Sequence, residues 1–417
     1  MRIEIAHSNP EAEEHAAGTA GVGRGYGRDF WAVFAANFVL NGSSNMLVLF
    51  PLLVVRLGGG AAMIGALAAF GAAMALMVRP AIPRVIERAG RSSTVFWALA
   101  LEGIAIALYI PLHSLGLPIF AVRALHGICE GTARVALFAM LFNILPEGRH
   151  GEAMTIFSLN GMMPAAFAPM IGDEIIRHFG FAVFFVSAAA LCASGAIAMT
   201  QVSSKLGRAM RTPDEAGGEG VSYRELLLER TLIPVWIVTL VFSAVLGSRL
   251  NFVVPFASQR GIAQVGVYFV IYSAAAIVVR LACAGLFETI GAERILAPSL
   301  VTLGLGIALL AATGRPGMLD LAGVIGGLGH GFTYPALTVL VLRRTPASAM
   351  GRTSTLFTSL FDLASMVAPY LLGLIASRAG YALMFLVAGA CAVAAGLYLG
   401  AAEVMLRRRD VEPQRVS

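Results

Sequence analysis

Long apolar runs recur along this chain, each close to the 20 or so helical residues, at about 1.5 Å apiece, that cross a hydrocarbon layer roughly 30 Å thick. They place spans at 30–55, 61–79, 94–113, 118–142, 153–173, 179–200, 232–255, 265–287, 295–313, 318–342, 354–376 and 381–404. Only 13% of the 417 residues are Asp, Glu, Lys or Arg, where a soluble domain carries about a quarter, and the mean hydropathy is +0.80. Lipid is the solvent for such a chain. Runs such as Phe181 to Met199 show none of the polar–apolar alternation of a membrane β-barrel. The expected fold is therefore an all-α membrane protein of twelve transmembrane helices.

The first 28 residues set Glu11, Glu13 and Glu14 ahead of Gly21, Gly23, Gly25 and Gly27. With no apolar stretch, they read as a disordered tail and not as a cleaved leader. Cys129, Cys192, Cys283 and Cys391 all lie inside apolar segments, where they read as small packing residues and not as a disulfide framework.

The formal charge of +6 follows topology. Arg79, Arg84, Arg88, Arg91, Arg149, Lys205, Arg208, Arg211, Arg224, Arg230, Arg294, Arg343, Arg344, Arg352 and Arg407 to Arg409 fall in one alternate set of loops and tails. The other set holds only Arg56, Arg177, Arg260, Arg315 and Arg378. The positive-inside rule then puts both termini in the cytoplasm, so the basic surplus orients the chain in a cytoplasmic membrane and does not imply a nucleic-acid partner.

The sequence also repeats itself. At an offset of 200, Gly151, Thr155, Phe157, Ala168, Pro169, Gly180, Ala182 and Phe185 meet Gly351, Thr355, Phe357, Ala368, Pro369, Gly380, Ala382 and Phe385. At 201, Arg79, Glu87 and Gly90 meet Arg280, Glu288 and Gly291; at 204, His126 and Gly127 meet His330 and Gly331; at 205, Gly42 and Ser43 meet Gly247 and Ser248. An even number of spans per copy relates the two halves by an axis along the membrane normal. Two such bundles can rock about a midplane site and open it to either side in turn. The expected organisation is a cytoplasmic tail (1–28), a six-helix bundle (29–200), a cytoplasmic linker (201–231), a second six-helix bundle (232–405) and a cytoplasmic tail (406–417). Tyr223 to Leu232, which interleaves leucines with charges, reads as a short interfacial helix at the linker's end.

Over nearly its whole length the chain resembles the major facilitator superfamily. Pro83-Arg-Val-Ile-Glu87-Arg88-Ala-Gly90-Arg91 is similar to the family's signature loop, Gly-x-x-x-Asp-Arg-x-Gly-Arg, with Pro83 for the glycine and Glu87 for the aspartate. Glu288 and Gly291 keep the acid and glycine in the second copy. The resemblance implies a cytoplasmic gate, in which the acid faces a helix end of the other half and the arginines pair with carboxylates. Arg123-Ala-Leu-His126-Gly127 resembles a motif of proton-coupled members. Ala168-Pro169-Met-Ile-Gly172 resembles a helix-packing motif linked to antiporters, with Ala168 where glycine is usual. The family also implies that spans 1, 4, 7 and 10 line a central cavity and that the protein acts as a monomer.

A charge at mid-bilayer costs about 2.5–3.5 kcal/mol on insertion scales, so those present are paired or functional. Arg123, Glu130 and Arg134 share one face of span 4, and Asn37, Asn41 and Asn45 step by four along span 1. Span 7 adds Arg249 and Asn251, and span 10 adds His330 and Tyr334. Asp362 in span 11 and Glu102 in span 3 are further acids within spans. Glu130, with Arg123 or Arg134, is the first candidate for proton coupling, and Asp362 the second. The alternative for each is a permanently ionised pair that only holds helices together. The remaining polar residues are candidates for binding a small molecule, and the excess of cations favours an anionic or zwitterionic one. No zinc-hydrolase, nucleophile-elbow or phosphate-loop motif occurs, so neither an enzyme nor a cofactor or metal is expected. The function these features imply is secondary transport, with proton-coupled efflux ahead of proton-driven uptake and uniport, and a non-transporting sensor as the other class.

Overall fold

Lipid offers the backbone no hydrogen-bond partners, so each crossing must satisfy its own N–H and C=O groups within a helix. The computed structural model describes residues 26–144, 150–202, 221–282 and 289–411, and every regular element among them is helical. Helix α1 spans Arg28–Arg56 and α2 Ala61–Ala89; α3 is Arg91–Ala107 and α4 Leu117–Ile144. One run, His150–Met199, supplies α5 and α6 on either side of Gly180. Then follow α7 (Ile233–Gln259), α8 (Gly266–Ala282), α9 (Ala292–Leu310) and α10 (Pro316–Arg343). A last run, Met350–Val411, holds α11 and α12 on either side of Gly380. The order is that of the twelve expected spans, in two six-helix bundles.

The backbone repeats along with the sequence. Six glycines among the described residues have positive φ, and they form three pairs at the repeat spacing: Gly58 and Gly261 (86° and 67°), Gly90 and Gly291 (83° and 87°), and Gly180 and Gly380 (82° and 83°). A Cβ is strongly disfavoured there. Gly90, Gly180, Gly291 and Gly380 stand where one helix gives way to the next with almost no loop, which is why the motif glycines are among the clearest matches between the halves.

Four boundaries differ from expectation. Residues 83–91 are not a loop: Ile82–Ala89 is helical, with Pro83 in its first turn, where proline's fixed φ suits a helix start, and only Gly90 leaves the helical region. Helix α3 stops at Ala107 and not near 113, because Pro111 cannot continue it. The last helix runs on to Val411, past 405. The linker helix is shorter than expected, Tyr223–Leu228, and starts with a capping box: Glu225 N–H donates to Ser222 Oγ at 3.2 Å, and Ser222 N–H to the Glu225 carboxylate at 3.0 Å. Residues 1–25, 203–220 and 412–417, which carry most of the expected tails and linker, lie outside the described residues, as do Glu288 and Cys283. Cys129, Cys192 and Cys391 are free thiols.

Between lipid-embedded helices there is little hydrophobic driving force, and close approach of small residues takes its place. A Cβ on Gly127 of α4 would lie 2.3 Å from the Gly71 carbonyl oxygen of α2, and one on Gly306 of α9 would lie 2.3 Å from Gly326 N of α10. The same device joins the two halves at their arginine-poor ends. A Cβ on Gly65 of α2 would lie 2.2 Å from the Pro369 carbonyl oxygen of α11, and one on Gly266 of α8 would lie 2.4 Å from Met170 Cα of α5. Gly65 and Gly266 are repeat partners, so the pathway between the halves is pinched twice at one end by equivalent contacts.

Candidate functional site

Inward of those contacts, α1 and α4 share a polar cluster. Arg134 Nη2 donates to Glu130 Oε1 at 2.7 Å, and Ser44 Oγ donates to the same oxygen at 3.0 Å. Arg134 Nη1 also reaches Asn41 Oδ1 at 3.4 Å. One turn of helix separates Glu130 from Arg134, which lets an i,i+4 pair close. The Arg134 side chain is 46% exposed and that of Glu130 25%. A guanidinium half exposed in mid-span faces a wet pathway, since the same exposure to acyl chains would be heavily penalised. The Asn41 and Asn45 amides each donate to the backbone carbonyl four residues back, on Asn37 and Asn41, at 2.9 and 2.8 Å. This leaves their side-chain oxygens as acceptors.

Arg123 does not join this cluster, although it shares their face of α4. Its Nε donates to the Leu67 carbonyl of α2 at 3.2 Å, its Nη1 meets His126 Nδ1 at 3.1 Å, and its guanidinium lies over the Phe50 ring. It is part of the packing between α1, α2 and α4.

The second acid is held from the other half. Arg79, at the arginine-rich end of α2, forms an ion pair with Asp362 of α11. With the Glu130–Arg134 pair on α4, this gives a belt of two carboxylates and two arginines, one pair inside the first half and the other across the interface. Arg280 of α8, the repeat partner of Arg79, donates to the Gly331 carbonyl at 2.9 Å and points Nη1 at Met162 Sδ of α5 at 3.8 Å. The repeat sets Met162 opposite Asp362. Sequence reasoning missed Ser44 as a ligand of Glu130, and it treated Arg79 and Arg280 only as loop charges and repeat markers. The signal for the arginines was their recurrence at the same offset as the glycines.

In the second half, Arg249 is 7% exposed and lies flat against the Tyr272 ring, 4.1 Å from its centroid, with Phe269 beyond. It packs inside the bundle, between α7 and α8. Asn251 donates to the Gly247 carbonyl at 2.9 Å. His330 sits between the rings of Phe242 and Tyr272, and Tyr334 lies tilted against Phe242 and edge-on to Phe361.

In the gate motif, Pro83, Glu87 and Arg88 are exposed, while Arg91 is buried at the start of α3. Glu87 makes no ion pair among the described residues; the tie between the halves nearest that end is Arg79–Asp362. In the packing motif, Ala168 is buried, Pro169 lies within the helix, and Gly172 lies against Leu49 and Phe184, where a Cβ would come within 2.8 and 2.9 Å. No cluster of His, Cys, Asp and Glu among the described residues has the geometry to hold a metal.

Helices that pack by glycine contact, repeat in two halves and enclose a charged belt define a membrane transporter. The chain belongs to the Major Facilitator Superfamily, whose family model matches residues 32–286 and 261–417. It is 22% identical over 373 residues to the Staphylopine export protein of Staphylococcus aureus, covering 85% of this chain and 89% of that one. It is 27% identical over 334 residues to an uncharacterized MFS-type transporter of Burkholderia mallei, covering 78% and 79%. Among solved structures, the fold is similar to that of peptide transporter POT in complex with sulfate, with a TM-score of 0.74 at 18% identity over 93% of this chain and 98% of that one. It is also similar to nucleoside transporter NupG, with a TM-score of 0.71 at 14% identity over 89% and 98%. The protein is a multi-pass membrane transporter.

Proposed function

We propose that this transporter exports a small organic molecule across the bacterial cytoplasmic membrane by alternating access, in exchange for protons, working as a monomer with both termini in the cytoplasm. The observation that carries this reading is the belt between the halves. Glu130 is held by Arg134 and Ser44 in the first half, and Asp362 is held across the interface by Arg79. An ion pair in a narrow, water-accessible path is a switch: a proton on either carboxylate releases its arginine, and the released arginine is free to take a substrate anion. A proton and the ammonium group of a zwitterionic substrate compete for those carboxylates, which is the requirement for exchange, whereas an anion that follows the proton onto the released arginine travels with it. Export is supported by the likeness to the Staphylopine export protein. A substrate with a carboxylate or another anionic group fits the path, because among the described residues Arg79, Arg134 and Arg280 meet two carboxylates there. That same balance supports the second reading, proton-driven uptake or uniport of an anionic or zwitterionic metabolite.

Flux of labelled candidate substrates into and out of proteoliposomes, under pH gradients of both signs, tests the assignment. Export by exchange gives uptake into inverted vesicles only when their interior is acidic, and Glu130→Gln abolishes the response to the gradient while leaving exchange down a substrate gradient. Full gradient-driven accumulation by Glu130→Gln eliminates Glu130 as a coupling group, and flux indifferent to pH in the parent protein eliminates coupling altogether.

A further inference from the structure

A third acid lies deeper than the belt, and neither the pathway nor the repeat accounts for it. Glu102 of α3 is fully buried, and neither of its carboxylate oxygens has a hydrogen-bond partner among the described residues. The cation-forming group nearest to it is His126 of α4, whose Nε2 lies 3.9 Å from Glu102 Oε1 and is likewise unpartnered. The opposite ring nitrogen is fully engaged. Arg123 Nη1 lies 3.1 Å from His126 Nδ1, and the Tyr109 hydroxyl lies 3.3 Å from it. A guanidinium can only donate, so Nδ1 must accept, and the one proton of the neutral ring sits on Nε2, facing Glu102.

This arrangement fixes where an added proton goes. Arg123 blocks Nδ1 and Nε2 already carries a hydrogen, so the lone pairs open to a proton are those of Glu102. A buried carboxylate with no donor within hydrogen-bond distance is costly as an anion. The other charged and titratable groups facing it are few. From α4 they are Cys129, Glu130 and Arg134, and from α6 Cys192. Glu130 is one helical turn from His126 on α4 and a quarter of its side chain is exposed, which gives protons a short route inward. The site is also absent from the second half. At the offset that pairs Gly90 with Gly291, Glu102 falls on Leu303, a fully buried leucine. The equivalent position of the second bundle is filled by an apolar side chain, so the shared architecture does not require an acid here.

We propose that Glu102 is a proton-binding site in the interior of the first bundle, positioned by His126 and Arg123, and that it stores the coupling proton apart from the substrate-binding belt. The proposal rests on the proton-coupled reading above only for its use; the binding itself is tested separately. Infrared difference spectra of the full-length protein in nanodiscs, recorded between acid and alkaline pH, should contain the carbonyl band of a buried carboxylic acid. That band should be lost in Glu102→Gln, shifted in frequency in Glu102→Asp and kept in Glu130→Gln. His126→Asn, which preserves a side chain of polar character without the ring, should move the midpoint at which the band titrates. A band unchanged in Glu102→Gln, or a midpoint unchanged in His126→Asn, overturns the proposal. If the band behaves as expected but transport ignores the pH gradient, the site stands and proton coupling falls.

Discussion

Arg79 and Asp362 are 283 residues apart and are joined across the two halves, while the duplication puts Arg280 and Met162 in the same relationship on the opposite side of the pathway. The two interfaces, α2 with α11 and α8 with α5, are built alike: each has a glycine against the partner's backbone at the arginine-poor end and an arginine reaching across further in. Only one of the arginines meets an acid. Under the proposed alternating access, rocking of the halves would break an ion pair on one side and only a weak contact to sulfur on the other, so that the α2–α11 side is the one whose energy responds to charge.

Asp362→Asn should release Arg79. The pair is part exposed, at 36% and 29% of the side-chain surfaces, and such pairs contribute about 0.2–1 kcal/mol. With tenfold in population for about 1.4 kcal/mol, the shift between the two open states should not exceed about fivefold. Double electron–electron resonance between spin labels on α2 and α11 measures it, and an unchanged distance distribution would show that the pair does not hold the state.

Met162→Glu is the converse experiment. It gives Arg280 the carboxylate that Arg79 already has, and both sides of the pathway are then tied. Transport should slow several-fold at saturating substrate, with the same labels reporting a population moved toward the tied state. Equal turnover would mean that opening at these arginines is not a slow step.

Arg134 is the cation most open to the path, at 46% of its side-chain surface. Arg134→Lys keeps the charge but loses the fork that reaches Glu130, Ser44 and Asn41 together. Apparent substrate affinity should fall about tenfold, as expected for a loss of one charge-assisted bond of about 1.5 kcal/mol, with protein level and thermal stability unchanged. A variant whose flux and affinity match the parent's would remove Arg134 from the binding site.

How far the sequence carried this picture depends on the kind of signal. Span length and the repeat were enough for the architecture, because in lipid the length of a helix is set by bilayer thickness and its regularity by backbone satisfaction. The Glu130–Arg134 pair was legible too, since i,i+4 spacing on a helix is fixed by its pitch. Contacts between helices were not. Nothing local marks Arg79 as the partner of Asp362, and the shared face on α4 does not reveal that Arg123 donates to the Leu67 carbonyl and lies over the Phe50 ring rather than bonding to Glu130. Arg249 looked like a cavity cation for the same reason: a helix face says which neighbours are near but not which aromatic ring lies flat against the guanidinium.

The contacts at the arginine-poor end give the sharpest test of alternating access. A Cβ on Gly65 would lie 2.2 Å from the Pro369 carbonyl oxygen and 2.9 Å from its carbon, and backbone cannot yield as a flexible side chain would. Gly65→Leu should therefore hold α2 and α11 apart and empty the state closed at this end. Val254 of α7, fully buried and beside Leu52 at the mouth between the halves, is a suitable reporter. In a protein whose four native cysteines are replaced, Val254→Cys should react slowly with a membrane-impermeant maleimide. Adding Gly65→Leu should raise that rate about tenfold, the effect of about 1.4 kcal/mol, and abolish transport. The Gly266→Leu change at the equivalent α8–α5 contact should act in the same direction, because the duplication makes the two pinches equivalent. If Val254→Cys labels no faster in either variant while transport is lost, the contacts are needed for folding of the bundles and not for closing the pathway.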